Sequence, residues 1–347
     1  MKNIMKWVFI GLFSVILLPL IALLFIFKKA AGKRDYNPAV LDNLEEAAQD
    51  YVKKTAPLSD VDTRYKYIRV TEKTLRSAKK IAIGDIENKK IDGPAGKIPL
   101  RIYTPEADGP YQVIVYFHGG SFVTGNLNTH DAIARRIVQA TGARVIAVDY
   151  RLAPESPFPR AIEDAYSALL WVNSHQTSLR MKSNEIIVAG DSAGANIAAV
   201  VSQLAKAKEL PEISKQILLY PPTDIFSRDA SVLYPSMDEF KEGYVLTKEA
   251  LDKCFKLYLA GAENRKYDPL VAPIRSKHLH GLPEALIVTA EYDPLRDQGE
   301  AYAKKLTEAG VLVTLKRMEK VPHDFMQTDS DATDEVYQLI GDFLTEK

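Results

Sequence analysis

The sequence predicts an α/β protein with a mostly parallel central sheet and helices on both faces. Two observations support this fold class. From residue 97 onward, short continuous apolar runs alternate with segments of helical periodicity, as in strands that are buried on both faces. The composition is that of a globular chain, because 46% of the 347 residues are hydrophobic and 26% are charged, with a single cysteine. It excludes a disordered chain, an intramolecular disulfide and any site built from several thiolates.

The elements follow one another along the chain in regular alternation. Seven strands are predicted at 97–103, 113–117, 145–148, 186–189, 217–220, 286–289 and 311–316. Five helices are predicted at 131–140, 161–173, 193–207, 299–309 and 334–345.

Residues 7–27 are predicted to form a transmembrane helix. The segment contains no charged residue and has lysines at both ends. At a rise of about 1.5 Å per residue it spans roughly 30 Å, the thickness of a bilayer's hydrocarbon core. A cleaved signal peptide is the alternative, but its apolar core is usually only about 7–15 residues long. We expect an uncleaved single-pass anchor with basic flanks within residues 1–34.

Charge is distributed unevenly along the chain. Six lysines and arginines and no acidic residue lie in residues 1–34, so the remainder carries 39 basic against 45 acidic residues. A mildly acidic body is a poor ligand for nucleic acid. Two of the six basic residues precede the apolar segment and four follow it, so the positive-inside rule favours a cytoplasmic body only slightly. The side of the membrane stays open at this point.

Two further segments fall outside the alternation of strands and helices. Asn37-Pro38, followed by apolar residues at helical spacing, predicts a helical cap segment within 35–80 that precedes the main domain at 81–347. Residues 221–261 are rich in aromatic side chains and show no clear strand. A long excursion of this kind is expected to be a helical cap or lid that lines a substrate site. A structural insertion that packs on the sheet is the alternative.

The pentapeptide at 190–194 predicts a nucleophilic serine. Its sequence, GDSAG, matches G-x-S-x-G and lies between a predicted strand and a predicted helix. A nucleophile elbow requires that strand–turn–helix setting, because the sharp turn raises the serine above the sheet. The amino terminus of the helix also favours negative charge near Ser192. A plain glycine-rich turn is the alternative.

The tetrapeptide at 118–121, HGGS, predicts an oxyanion-binding loop. It directly follows the strand at 113–117, and paired glycines there allow backbone N–H groups to approach a developing oxyanion. We predict that the N–H groups of Gly119, Gly120 and Ala193 are the donors. His118 is expected to brace the loop, because no general base is expected at that position.

Several motifs in a fixed order extend this pattern. They are HGGSF at 118–122, DYRLAPE at 149–155, PFP at 157–159, GDSAGAN at 190–196, YPPTD at 220–224, EYDPLRD at 291–297 and HDF at 323–325. Over residues 80–345 the chain resembles the hormone-sensitive-lipase-like branch of the α/β-hydrolases. It departs from the family pattern at Ser121, at Ala195 and at Asp324, where glycine is usual. A carboxylate at Asp324 is expected to raise the imidazole pKa of the preceding histidine if the two groups approach.

The remaining members of a catalytic triad follow from chain order. This fold runs Ser…Asp/Glu…His, and His323 follows the last predicted strand. We predict His323 as the general base and Asp293 as the acid that orients it. Asp297 is the second candidate for the acid and Glu291 the third.

The other histidines carry no such pattern. Those outside the motifs are predicted to be surface residues: His130, His175, His278 and His280. The pair His278 and His280 lacks a third ligand, so we predict no metal site. No other cofactor is expected either.

The resemblance implies a serine carboxylesterase that hydrolyses short- to medium-chain acyl esters, with a small-molecule ester as substrate. Arylacetamide deacetylase-like enzymes share the layout of an amino-terminal anchor followed by a catalytic body. A deacetylase, an amidase or a lipase that acts on membrane-derived substrates is therefore an alternative. A non-catalytic ligand-binding protein on the same fold is disfavoured because all three triad positions are filled. A peptidase is disfavoured because the chain has no propeller-like partner domain.

Overall fold

The computed structural model describes residues 81–224, 233–242 and 245–345. The strands are β1 Asp85–Gly93, β2 Gly96–Thr104, β3 Val113–Phe117, β4 Arg144–Val148, β5 Ile186–Asp191, β6 Ile213–Leu219, β7 Glu284–Tyr292 and β8 Val313–Pro322. The helices are α1 Asp131–Thr141, α2 Arg160–Ser174, α3 Ala193–Ala207, α4 Ser236–Glu239, α5 Lys248–Tyr258, α6 Arg296–Glu308 and α7 Asp331–Thr345. Short 3₁₀ turns occur at Glu263–Arg265, Pro273–Arg275 and Phe325–Gln327.

The eight strands form one sheet in the order β1-β2-β4-β3-β5-β6-β7-β8. The six strands from β3 to β8 are parallel, and β2 runs antiparallel to both of its neighbours. Every residue of β3 and of β5 is buried, because helices cover the sheet on both faces. The prediction of a mostly parallel sheet is confirmed.

Each face of the sheet has its own apolar core. One core joins the sheet to α2, α3 and α6, through side chains such as Leu169, Ile197 and Tyr302. The other joins it to α1 and α7, through side chains such as Ile137 and Ile340. The sheet, whose carboxyl edge carries the predicted site residues, is therefore packed against apolar side chains on both faces.

Strand β1 was not predicted, and the reason is its composition. Its sequence, DIENKKIDG, is mostly charged, and only Ile91 is buried. The strand forms because it pairs along its whole length with β2, across a two-residue turn at Pro94-Ala95. Strand β6 begins at Ile213, four residues before its predicted start, although Lys215 interrupts the apolar pattern. The Lys215 ammonium pairs with Glu284 on the neighbouring strand at 2.8 Å, which explains why it is tolerated there.

Within the excursion at 221–261, the described residues form loops and the helices α4 and α5. The helix α5 packs on the loop that follows β3, because the ring of Tyr258 stacks on Phe122 with centroids 3.9 Å apart. At the start of the excursion, the buried carboxylate of Asp224 binds the Arg275 guanidinium through two hydrogen bonds. The excursion is therefore tied to the main body at both ends. Whether it acts as a lid stays a prediction.

The predicted anchor at 1–34 and the predicted helical cap segment at 35–80 lie outside the described residues. Among the residues that the structure does describe, no helix is both long enough and apolar enough to cross a membrane.

Candidate active site

The residue Ser192 occupies the sharp turn between β5 and α3. Its backbone has φ 49° and ψ −121°, a conformation that is strained for any residue with a side chain. Two contacts hold it there. The Ser192 N–H donates to the carbonyl of Leu219 at 2.8 Å. Gly194 lies so close to β3 that an added Cβ would stand 1.9 Å from the carbonyl oxygen of Phe117. The turn therefore requires glycine at 194, and the serine hydroxyl is presented above the carboxyl edge of the sheet.

The predicted triad residues lie together at this edge. Ser192 follows β5, Asp293 follows β7 and His323 follows β8. The Oγ of Ser192 is 2.9 Å from Nε2 of His323, and Nδ1 of the same ring is 2.7 Å from Oδ2 of Asp293. All three side chains are buried, and Ser192 is only 5% exposed. The serine hydroxyl is therefore linked through one imidazole to one carboxylate, with little access for competing water.

The geometry distinguishes the three candidate acids. Only Asp293 contacts the imidazole, and its second oxygen is held in place by the Leu295 N–H at 2.8 Å. Asp297 accepts hydrogen bonds from the Ser236 N–H and from the Arg296 guanidinium. Glu291 accepts the Lys320 N–H. The two alternatives therefore have structural partners of their own and do not face His323.

Charges around His323 favour its protonated form. Burial alone would lower the pKa of His323, but the carboxylates of Asp293 and Asp324 more than offset this and raise the pKa to about 9. Asp324 lies on the other side of the ring, with its Oδ1 3.5 Å from Nε2. The ring of Tyr220 packs edge-on against the imidazole at 4.8 Å between centroids. The expected approach of Asp324 to the imidazole is confirmed, and its charge is one of the causes of the raised pKa.

The oxyanion loop differs from the prediction at one donor. The Gly119 N–H is already hydrogen-bonded to Oδ1 of Asp191 at 2.9 Å, with Nε2 of His130 also within 3.3 Å. This amide points back toward β5 and is not available to a substrate oxygen. The assignment of Gly119 as an oxyanion donor is corrected on this ground.

Three other amides in the same region have no hydrogen-bond partner among the described residues. They belong to Gly120, Ser121 and Ala193. Gly120 has φ 116° and Ser121 has φ 54°. Because both values are positive, the chain leaves the extended conformation of β3 at these residues. Ala193 is the first residue of α3, where the N–H has no partner within the helix. The amides of Gly120 and Ala193 therefore stay predicted oxyanion donors, and the Ser121 N–H is a further candidate.

A buried carboxylate beneath the loop escaped the sequence prediction. Asp191, directly before the serine, accepts hydrogen bonds from the Tyr116 hydroxyl and the Gly119 N–H, and its Oδ2 lies 3.3 Å from Nε2 of His130. Burial alone would raise the pKa of Asp191, but these neighbours lower it below its ordinary value. The prediction of a surface position for His130 is therefore wrong. The signal in the sequence that pointed to the site was the position of His130, just before α1 and one loop after HGGS.

The prediction that His118 braces the loop is confirmed. Its ring stacks on Tyr150 with centroids 4.3 Å apart, and its Nδ1 lies 2.8 Å from the Gly119 carbonyl oxygen. Burial and the proximity of His130 lower the pKa of His118 to about 3, so the ring is neutral. In the described part of the chain, no group of three or more His, Cys, Asp or Glu side chains could hold a metal ion.

Comparison with known proteins places the fold in a family. A family profile described as alpha/beta hydrolase fold matches residues 114–327, which is more than half of the chain. The chain belongs to this family. Its eight-stranded sheet, its nucleophile elbow and the order Ser192, Asp293, His323 all agree with that assignment.

Similar proteins include several esterases. The chain is 40% identical over 247 residues to the carboxylic ester hydrolase LipN of Mycobacterium tuberculosis, a match that covers 70% of this chain and 64% of that protein, less than two thirds of its length. It is 34% identical over 289 residues to an arylesterase of Saccharolobus solfataricus, covering 81% of this chain and 91% of the relative. The solved structure of a Pyrobaculum calidifontis esterase aligns with a TM-score of 0.79 and 33% identity, covering 87% of this chain and all of that one.

Proposed function

We propose that this α/β-hydrolase is a serine carboxylesterase that hydrolyses small-molecule esters with short to medium acyl chains. The observation that carries the proposal is the hydrogen-bonded chain from Ser192 through His323 to Asp293, which lies beside unpartnered main-chain amides. The similar proteins described above are named as ester hydrolases or esterases, which supports the same chemistry.

The acylation step follows from the positions of these groups. The Ser192 oxygen attacks the ester carbonyl carbon while its proton passes to Nε2 of His323, 2.9 Å away. The carboxylate of Asp293 accepts the Nδ1–H, which holds the ring in the tautomer with a free Nε2 and stabilises the imidazolium that forms. The carbonyl oxygen becomes an oxyanion, for which the N–H groups of Gly120, Ser121 and Ala193 are the available donors.

The alcohol and then the carboxylic acid are released through the same catalytic groups. The tetrahedral intermediate collapses, the bond to the leaving oxygen breaks, and that oxygen takes the proton from Nε2 to leave as an alcohol. Water then attacks the acyl-enzyme and gives a proton to Nε2. When the second tetrahedral intermediate collapses, the proton returns to Ser192 and the carboxylic acid is released.

The amino-terminal sequence adds a proposal about location. We propose that residues 7–27 anchor the protein in a membrane as a single span, with a slight preference for a cytoplasmic body. The support is the uncharged apolar run with lysines on both sides. An anchored esterase would meet substrates that partition into the bilayer, so deacylation of membrane-derived amides or lipids is the second candidate function.

Activity measurements on the full chain over a series of phenyl esters test these candidates. A maximum at short to medium acyl chains supports the carboxylesterase. A maximum at acetyl together with hydrolysis of acetylated aryl amides favours the deacetylase, and a rise with long chains at a detergent or lipid interface favours the lipase. Ser192→Ala is the matched control and should retain only a small residual rate. Folded protein that turns over no ester of any length would contradict the proposal and favour a non-catalytic binding protein.

A further inference from the structure

Asp324, the residue that follows the proposed base His323, has an unusual backbone conformation. Asp324 has φ 63° and ψ 15°, a left-handed conformation that glycine adopts without strain and aspartate only occasionally. Its Oδ1 is 3.5 Å from Nε2 of His323, and that nitrogen is the atom that faces the Oγ of Ser192 at 2.9 Å. A charged group therefore lies beside the nitrogen that exchanges protons with the serine.

The surroundings of Asp324 give its carboxylate no structural role. Within the described residues, no backbone or side-chain donor is hydrogen-bonded to it, and its ion-pair partner is His323. Its side chain is 31% exposed. Asp293 is the opposite case, because it is fully buried and is fixed by the Leu295 N–H. Burial raises the pKa of Asp324, and the charge of His323 opposes this shift. A carboxylate at this left-handed position therefore destabilises the fold unless it serves the site.

We propose that Asp324 is a positioning residue for proton transfer, a second carboxylate that acts on Nε2 of His323 and stabilises the imidazolium formed when Ser192 gives up its proton. The proposal rests on the esterase function proposed above. The imidazole then lies between two carboxylates, with Asp293 at Nδ1 and Asp324 at Nε2. The first fixes the tautomer through a hydrogen bond, and the second acts through charge.

The proposal has a consequence for the pH dependence of the reaction. The groups that face His323 are Asp293 after β7, Asp324 in its own loop, Asp191 at the end of β5 and the ring of Tyr220 after β6. Together the carboxylates raise the pKa of His323 to about 9. Because the neutral ring is the base, kcat/KM should fall as the pH decreases through that value. Without the Asp324 charge the pKa of His323 falls, so the fall in kcat/KM moves to lower pH.

The test is the pH profile of kcat/KM for phenyl acetate, measured with the full chain. Asp324→Asn removes the charge with little change in shape, and Asp324→Gly suits the left-handed backbone, so a folding defect in one variant does not disable the test. Asp342→Asn, at an exposed position of α7, removes one negative charge far from the motifs and is the matched control. Circular dichroism reports whether each variant is folded.

We expect the midpoint of the acidic limb to move down by about one pH unit in both Asp324 variants. The ratio of kcat/KM at neutral pH to kcat/KM on the alkaline plateau should then be about tenfold higher in each variant than in the wild type. The plateau should be equal or lower, because a weaker base accepts the serine proton less readily. The control should keep the wild-type midpoint.

Unchanged midpoints in both folded variants, with or without a lower plateau, would overturn the proposal that Asp324 acts on His323. An imidazole NMR titration of His323 in the Ser192→Ala background gives the same shift without any turnover. If the wild type hydrolyses no ester, the esterase assignment fails, while the NMR titration still decides whether Asp324 acts on the ring.

Discussion

Replacing Asp293 with asparagine should reverse the hydrogen bond that orients the proposed base. One carboxylate oxygen accepts the Leu295 N–H at 2.8 Å and the other accepts the His323 Nδ1–H at 2.7 Å. In Asp293→Asn the Leu295 N–H still needs an acceptor, so the amide oxygen takes that side and the NH₂ group faces Nδ1. The ring must then accept at Nδ1 and carry its proton on Nε2. In that tautomer it cannot take the proton of Ser192.

The size of the effect follows from the burial of the site. Asp293 and His323 are almost completely inaccessible to solvent, so water cannot restore the lost interaction. A wrong tautomer of this kind lowers kcat by about 10⁴-fold in serine hydrolases, which corresponds to about 5 kcal/mol of activation free energy. The KM should change much less, because the carboxylate does not contact the substrate.

Two matched substitutions serve as controls for this prediction. Glu291→Gln keeps a carbonyl oxygen for the Lys320 N–H, and Asp297→Asn lies outside the contact with His323. Both should keep kcat within about threefold of the wild type. The assay is kcat and KM for phenyl acetate on the alkaline plateau, with thermal unfolding as the test of folding. A folded Asp293→Asn variant with kcat within tenfold of the wild type would refute the reasoning, as would an equal loss in Asp297→Asn.

Three further predictions concern the packing and the charges behind the site. Tyr258→Phe removes a buried hydroxyl that has no hydrogen-bond partner among the described residues, so the free energy of unfolding in urea should rise by about 1 kcal/mol. The Tyr302 hydroxyl accepts a glutamine N–H, so Tyr302→Phe should lower the free energy of unfolding. Equal effects of the two tyrosine substitutions would contradict this account. Gly194→Ala should lower the unfolding free energy by about 3 kcal/mol, because its Cβ would strike a β3 carbonyl; an unchanged melting temperature would show that the turn has room. The raised pKa of His323 predicts stabilisation that is complete below the ordinary pKa of 6.5 and is lost as the pH rises through about 9. Urea titrations at several pH values should show this loss, roughly 3 kcal/mol, in the wild type and not in His323→Ala.

The parts of the fold that the sequence predicts well are those with a strong apolar pattern. Strand β3 and helix α3 begin and end at the predicted residues, because β3 is buried throughout and α3 is buried over its first ten residues. The polar edge strand β1 has no such pattern, since its stability comes from pairing with β2. Its existence depends on a neighbour that lies beyond the hairpin turn, which periodicity does not measure.

The candidate site shows the same division. Spacing and motif context locate Ser192, Asp293 and His323, because chain order and the carboxyl edge of the sheet leave few positions. The direction in which a single backbone N–H points is not predicted by these patterns. Gly119 turns toward Asp191 since that carboxylate is buried beneath the loop, and no sequence pattern reports which N–H a buried carboxylate takes. The burial of His130 likewise depends on its contact with Asp191, although its position one loop after HGGS was a signal in the sequence.

Covalent labelling of the folded full chain with a fluorophosphonate probe, followed by peptide mass spectrometry, tests the central claim most directly. If Ser192 is a nucleophile activated by His323, the probe should modify Ser192 alone, and labelling should be lost in Ser192→Ala and strongly slowed in His323→Ala. Modification at another residue, or folded wild-type protein that the probe leaves unmodified, would contradict the assignment of Ser192 as the nucleophile.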